Sequence, residues 1–104
     1  MTVQEIAEII ARADPEAKHY EHAMDGTDFT VWMEHERIGL MADDEYAEPG
    51  WRFEIDRYTK TEFDPVADRL EEVLDGEPGI SWTHLVRYYS DTKYIRHVFE
   101  CEGI

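Results

Sequence analysis

The chain has 104 residues, of which 42% are hydrophobic, including three tryptophans and six tyrosines. This length predicts a single domain over residues 1–104, and the aromatic content is enough for one core and argues against disorder. The formal net charge of −15 argues against ordinary DNA or RNA binding, because the phosphate backbone is also negative, but it is compatible with plain solubility, a halophile origin, a basic protein partner or a surface that must not adhere to DNA.

The first predicted element is a helix that begins almost at the N-terminus. Thr2 and Glu5 have the spacing of a capping box, with Thr2 as the N-cap. The apolar residues that follow form one helical stripe: Val3, Ile6, Ile9, Ile10 and Ala13. Asp14-Pro15 ends the helix, because the residue before a proline avoids helical backbone angles.

Three strands are predicted next, over residues 18–22, 29–34 and 38–42. A turn at residues 25–28 separates the first two. The polar residues 35–37 are predicted to separate the second strand from the third. A charged loop that ends in a Pro-Gly turn is expected over residues 43–50.

Residues 51–74 combine a strand, a connector and a helix. The strand shows a period of two, in which Trp51, Phe53 and Ile55 alternate with Arg52, Glu54 and Asp56. Asp64 is the predicted N-cap of the helix, and Pro65 fits its first position. The helix has one apolar stripe, formed by Val66, Leu70, Val73 and Leu74. Gly76 is expected just after it in the left-handed conformation.

Two final strands, over residues 80–89 and 94–102, are joined by a four-residue hairpin loop. In the last strand Ile95, Phe99 and Cys101 share one face, and Val98 lies on the other. The order of elements predicts an α+β fold, with a mostly antiparallel sheet of about five to six strands and two helices packed on one face.

No metal site stands out. His19 and His22 have a spacing that binds metals on a helix, but the segment is predicted to be extended, which separates them. Asp43, Asp44 and Glu45 have the hard oxygen ligands that Ca²⁺ or Mg²⁺ prefers, without the pattern of an EF-hand, so a solvated loop is favoured. The remaining histidines, His35, His84 and His97, are scattered along the chain.

Catalytic patterns are also missing. Cys101 lies in a predicted strand and is interpreted as a buried structural residue. Ser81 and Ser90 lack a nucleophile elbow, and no glycine-rich phosphate loop is present. We therefore expect no enzyme and no cofactor. A metal-dependent hydrolase that uses Asp43, Asp44 and histidines is kept as a third reading.

A protein interface is the more interesting possibility. Tyr88 and Tyr89 are adjacent in a strand, so they point to opposite faces, and one of them should lie off the core. We expect the interface to use the loop after the third strand and the final hairpin, placed together at one end of the sheet. Its predicted residues are Asp43, Asp44, Glu45, Tyr46, Tyr89, Asp91 and Lys93.

The compartment follows from the N-terminus and the cysteine count. Cys101 is the only cysteine, so no disulfide forms within one chain, and a reducing compartment is expected. The first residues are acidic where a secretory signal peptide is basic. The longest apolar run is too short to span a membrane. These features predict a cytosolic protein without membrane contact.

Residues 42–102 resemble a family of small siphophage tail proteins, encoded in tail-assembly clusters of phages and prophages, largely of Gram-positive bacteria. An Ala-Asp loop before a strand is found at Ala42-Asp43, and a strand ending similar to Glu-Leu-Tyr-Thr at residues 55–59. A helix similar to Leu-Glu-x-x-Leu-Asp is found at 70–75. A Gly-Ile-x-Trp strand entry lies at 79–82 and an aromatic hairpin at 88–94. Asp56-Arg57 departs from the family's Glu-Leu.

The resemblance implies a tail terminator, or tail completion protein, without catalysis or cofactor. Such proteins cap the tail tube as a homo-oligomeric, hexameric ring and present a surface to the head–tail connector. The implied partners are therefore the chain itself, the tail tube protein and the connector protein. The implied locations are the cytoplasm of the bacterial host during assembly and then the virion tail. An acidic ring lumen would let DNA slide, which agrees with the charge.

A small acidic inhibitor is the alternative. Such a protein mimics the charge of DNA and binds a host or phage nucleic-acid-binding protein. A mimic needs carboxylates in a row on one face. Here acids are interspersed with apolar residues along the chain, which favours the structural protein.

Overall fold

The computed structural model describes residues 1–39 and 49–104 in full, and residues 40–42 and 45–48 as strand backbone. Asp43 and Asp44 lie outside the described residues. The elements are α1 (Val3–Ala13), β1 (Lys18–His19), β2 (Phe29–Ala42), β3 (Glu45–Thr59), α2 (Pro65–Gly76), β4 (Ile80–Tyr89) and β5 (Tyr94–Gly103).

These elements form an α+β fold, as predicted. The sheet has the order β1-β2-β3-β5-β4, and every neighbouring pair is antiparallel except β1 with β2. Both helices pack on one face of the sheet. The core between them combines Ile6 and Ile10 of α1, Leu70 of α2, and Ile55 and Phe99 of the central strands.

The helix starts agree with the sequence. Thr2 and Glu5 form the predicted capping box, and the Asp64 carboxylate accepts the N–H groups of Val66 and Ala67. The prediction for Gly76 was wrong, because this glycine is the last residue of α2 and the C-cap that follows it, Glu77, has an extended backbone. The left-handed conformation occurs three residues later, at Gly79, with φ of 86°.

The polar break predicted at residues 35–37 was wrong. β2 continues through it, with a register shift between Glu34 and Glu36. Such a bulge inserts a residue without ending the ladder, which is why polar composition alone does not stop the strand. The predicted strand over 18–22 is shorter, because Tyr20 has φ of 76° and follows the two paired residues of β1.

The loop predicted over residues 43–50 was also largely wrong. Glu45–Thr59 is one strand, and its ladder with β2 shifts register around Pro49. A proline is tolerated at such a bulge because the ladder needs no donor there.

A two-stranded arm follows from this register. β5 ends at Gly103, opposite Trp51, whereas β2 and β3 continue to pair from Ile38↔Gly50 out to Ala42↔Glu45. We call residues 38–50 the β2–β3 arm. Within the described chain, no third strand pairs with it, and the molecule extends to 52 Å along its long axis. No helix among the described residues has the length and apolar character to cross a membrane.

Candidate functional site on the uncovered sheet face

One face of the sheet carries neither helix. Strand alternation places Glu54, Asp56 and Tyr58 of β3 on this open face, next to Arg96 of β5. The same period of two that buries Phe53 and Ile55 against the helices therefore directs the two acids outward. The open face gathers Asp56, Tyr58 and Arg96, three groups whose pKa values are all raised.

Two carboxylates on this face share one guanidinium. Arg96 Nε donates to Asp56 Oδ1 at 3.1 Å, and Arg96 Nη2 lies 3.5 Å from Glu54 Oε2. Burial, followed by the neighbouring Glu54 carboxylate, raises the pKa of Asp56 to about 7. The Asp56 carboxyl therefore gains or loses its proton near neutral pH, since burial and the neighbouring acid both disfavour its ionised form.

Aromatic side chains fix the position of this arginine. Arg96 Nη1 donates to Tyr89 Oη at 3.3 Å, and its guanidinium carbon lies 5.6 Å from the centre of the Tyr58 ring. Tyr58 packs in turn against Phe29 and Tyr94, with ring centres 4.8 and 5.8 Å away. Although burial lowers the pKa of Arg96, its bonds to Tyr89 and Asp56 raise it above its ordinary value.

An acidic hollow of about 450 Å³ continues toward the arm. Arg52 bridges Glu36 and Glu102 across three strands, at 2.7 and 2.6 Å. His35 Nε2 lies 3.7 Å from Glu54 Oε1. The open face can therefore exchange a proton near neutral pH and attract a cation. The described residues place no activated nucleophile beside it.

The predicted interface residues do not come together. Tyr89 lies half-buried on the open face. Asp91 accepts the N–H of Thr92 at 2.9 Å within the hairpin, and Lys93 is exposed with φ of 66°. The hairpin that follows Tyr89 lies beside the end of β3, because Thr59, the last residue of β3, pairs with Ile95. Glu45 and Tyr46 lie at the start of β3, which is the opposite end of that strand. Placing both segments at one end of the sheet was thus wrong. Asp43 and Asp44 lie outside the described residues, and of Glu45 and Tyr46 only the strand position is described.

The histidine predictions have mixed outcomes. His19 Nε2 lies 2.7 Å from Glu34 Oε2, whereas the His22 ring stacks on Phe29, so the two do not converge. Across the described ranges, no three His, Cys, Asp or Glu side chains form a metal-binding group. His84 and His97, interpreted as scattered, are neighbours with Nε2 and Nδ1 2.9 Å apart.

Cys101 lies in the core, and burial, followed by the Glu100 charge, raises the pKa of its thiol to about 12. A thiol in this state is not a nucleophile at neutral pH.

Two arrangements were missed by sequence reasoning. Arg57 is buried, because strand parity directs it to the helix face with Phe53 and Ile55, and that parity was visible in the sequence. The Glu54–Asp56–Arg96 cluster needs the pairing of β3 with β5, and no local pattern predicts that register.

Comparison of the chain with protein-family models and with curated proteins gives no match.

Proposed function

We propose that the chain is a structural assembly protein of a phage tail, a terminator that caps the tail tube as a homo-oligomeric ring. The observation that carries the proposal is the β2–β3 arm. An isolated two-stranded ribbon is marginally stable in water, so an arm that continues past the sheet favours a function in which it packs on another subunit. The resemblance of residues 42–102 to tail terminators supplies the class of assembly.

The charges of the open face fit a non-catalytic role. Arg96 is held by two acids, a tyrosine hydroxyl and the face of an aromatic ring. Such a cation is part of a packed network and has little freedom to follow a reacting group. A ring of acidic subunits would also repel the DNA that passes through it.

The proposed partners are further copies of the chain, the tail tube protein and the head–tail connector protein. The proposed location is the cytoplasm of the bacterial host during assembly, and then the tail of the virion. Neither sequence-specific nucleic acid nor a membrane has a part in this function.

The test is the mass of the purified protein by light scattering, with negative-stain images of the protein alone and mixed with tail tubes. We expect rings, either free or on tube ends. A variant that joins residues 38 and 50 by an Asn-Gly turn should lose the rings while keeping the helical circular dichroism signal of α1 and α2. Glu62→Ser, an exposed residue beyond the other end of β3, is the control. The proposal would be rejected if the protein is a monomer and does not bind tail tubes.

A second candidate is the small acidic inhibitor. The observation that favours it is a row of carboxylates on α2, formed by Asp68, Glu71, Glu72 and Asp75 at helical spacing. Displacement of DNA from a nucleic-acid-binding protein by the intact chain, and loss of displacement on reversing these charges, would support it. Failure to displace DNA from nucleases and repressors of the host would remove it.

A further inference from the structure

The outer edge of β4 has no partner within the part of the chain that the structure describes. β4 is the last strand of the sheet and runs for ten residues, Ile80–Tyr89. Alternate residues of such a strand point their backbone N–H and C=O groups away from the sheet, ready to pair with another strand.

Natural proteins protect free edges with charges, prolines, bulges or short strands. β4 has no proline, and Arg87 is its only lysine, arginine or acid. Its pairing with β5 is regular over its whole length. By contrast, the opposite edge has a bulge near Glu34 and is partly covered by β1. The β4 edge is therefore the less protected of the two.

The side chains along this edge differ between its two halves. At the Ile80 end, Trp82 and the four carboxylates of the α2 row line a groove of about 480 Å³. Among the described residues, no lysine or arginine pairs with these carboxylates, and the one imidazole within ion-pair distance is that of His84, with Nδ1 3.7 Å from Glu71. At the hairpin end, on the same face, Val86 and Tyr88 are 58% and 61% exposed.

We propose that the β4 edge binds an extended, basic segment of another protein by strand addition. The added strand forms main-chain hydrogen bonds to Ile80–Tyr89. Its side chains on the helix face are lysine or arginine beside Trp82 and the α2 carboxylates, followed by apolar residues beside Val86 and Tyr88. This inference is independent of the tail-assembly proposal, because it rests on the edge and its charges alone.

Charge decides between this occupant and a second copy of the chain. Edge-to-edge pairing would bring to this edge a second chain of net charge −15 that carries its own α2 carboxylates. Like charges brought together in this way oppose association. A basic strand instead gains attraction from the same groups.

The experiment uses a fluorescent ten-residue peptide with lysines at positions 1 and 3, valines at 5 and 7, and threonines at the other positions, made in both sequence directions. Anisotropy should show binding by one direction that weakens with salt. Hydrogen exchange should slow in residues 80–89. Replacing the lysines by glutamate should weaken binding at least tenfold. Methylating alternate peptide nitrogens should abolish binding for one set of nitrogens and leave it for the other, because only one set faces β4.

Glu72→Lys/Asp75→Lys should weaken binding at least tenfold. Glu8→Lys/Glu16→Lys makes the same change in net charge on exposed residues at the other end of the chain and should change binding less than twofold. Absence of binding, equal loss with both methylation sets, or slowed exchange outside β4 would overturn strand addition. Self-association of the protein that Glu72→Lys/Asp75→Lys strengthens would assign the edge to a second copy and overturn the basic occupant.

Discussion

Arg57 and Asp64 form a buried ion pair that joins the end of β3 to the start of α2, with Nε and Oδ2 2.8 Å apart. The same carboxylate caps α2 by accepting the N–H groups of Val66 and Ala67. Arg57 also lies 3.6 Å from Asp14, at the end of α1. One guanidinium therefore ties both helices to the central strand.

Replacing Asp64 by alanine should lower the free energy of unfolding by about 3–5 kcal/mol, because it leaves a buried charge without its main partner and removes a cap. Urea unfolding measures this. The matched control is Thr2→Ala, which removes only a cap and should cost about 1 kcal/mol. Equal losses for the two variants would show that the ion pair adds nothing to the cap.

The open face predicts an unusual pH dependence. The pKa of Asp56 is raised to about 7 from an ordinary 3.8, so the folded state holds its proton more tightly than the unfolded state. The resulting stabilisation is fully present below pH 3.8 and is lost progressively as the pH rises to about 7. Asp56→Asn, which keeps a neutral side chain, should therefore stabilise the protein at pH 8 by about 1 kcal/mol.

Thermal unfolding at pH 5 and pH 8 measures this change. Glu100→Gln is the control, because it removes an exposed acid from the same face. If Asp56→Asn destabilises the protein equally at both pH values, Asp56 is ionised in the folded state and its bond to Arg96 dominates.

His97 should have the opposite dependence. Burial, followed by the nearby His84, lowers the pKa of His97 below 6.5, and its buried Nε2 has no hydrogen-bond partner among the described residues. The neutral form is favourable in the folded state, so its contribution is present above pH 6.5 and is lost as the pH falls below that value.

His97→Leu should flatten the decrease in stability between pH 7 and pH 5, which unfolding titrations at several pH values would reveal. His22→Leu is the control, because His22 is a partly exposed histidine outside this pair. An unchanged slope in His97→Leu would show that another group controls the decrease.

Two glycines give a matched pair of substitutions. A Cβ at Gly50 would collide with the backbone oxygen of Gly103, where the arm leaves the sheet. Gly50→Ala should therefore destabilise the protein by about 1–3 kcal/mol. Gly76 lies in α2, where an added Cβ would meet no atom within 4 Å. Gly76→Ala should therefore stabilise the protein by about 0.5–1 kcal/mol. Thermal unfolding of both variants measures these changes. An unchanged stability of Gly50→Ala would contradict the close approach of Gly50 to the Gly103 backbone.

Local signals in the sequence determined the helices, the strand faces and the α+β class. The caps at Thr2 and Asp64 involve residues no more than three apart, and the alternation in residues 51–56 needs only the geometry of a strand. The same alternation already directed Arg57 inward.

Tertiary structure decided everything that depends on register. The bulge after Glu34 keeps β2 intact through a polar segment, and the end of β5 at Gly103 leaves the arm without a third strand among the described residues. The pairing of β3 with β5 brings Arg96 to Asp56, forty residues away, and places the two predicted interface loops at opposite ends. Such contacts join residues distant in the chain, and their free energy depends on which strands meet, so no short stretch of sequence contains them.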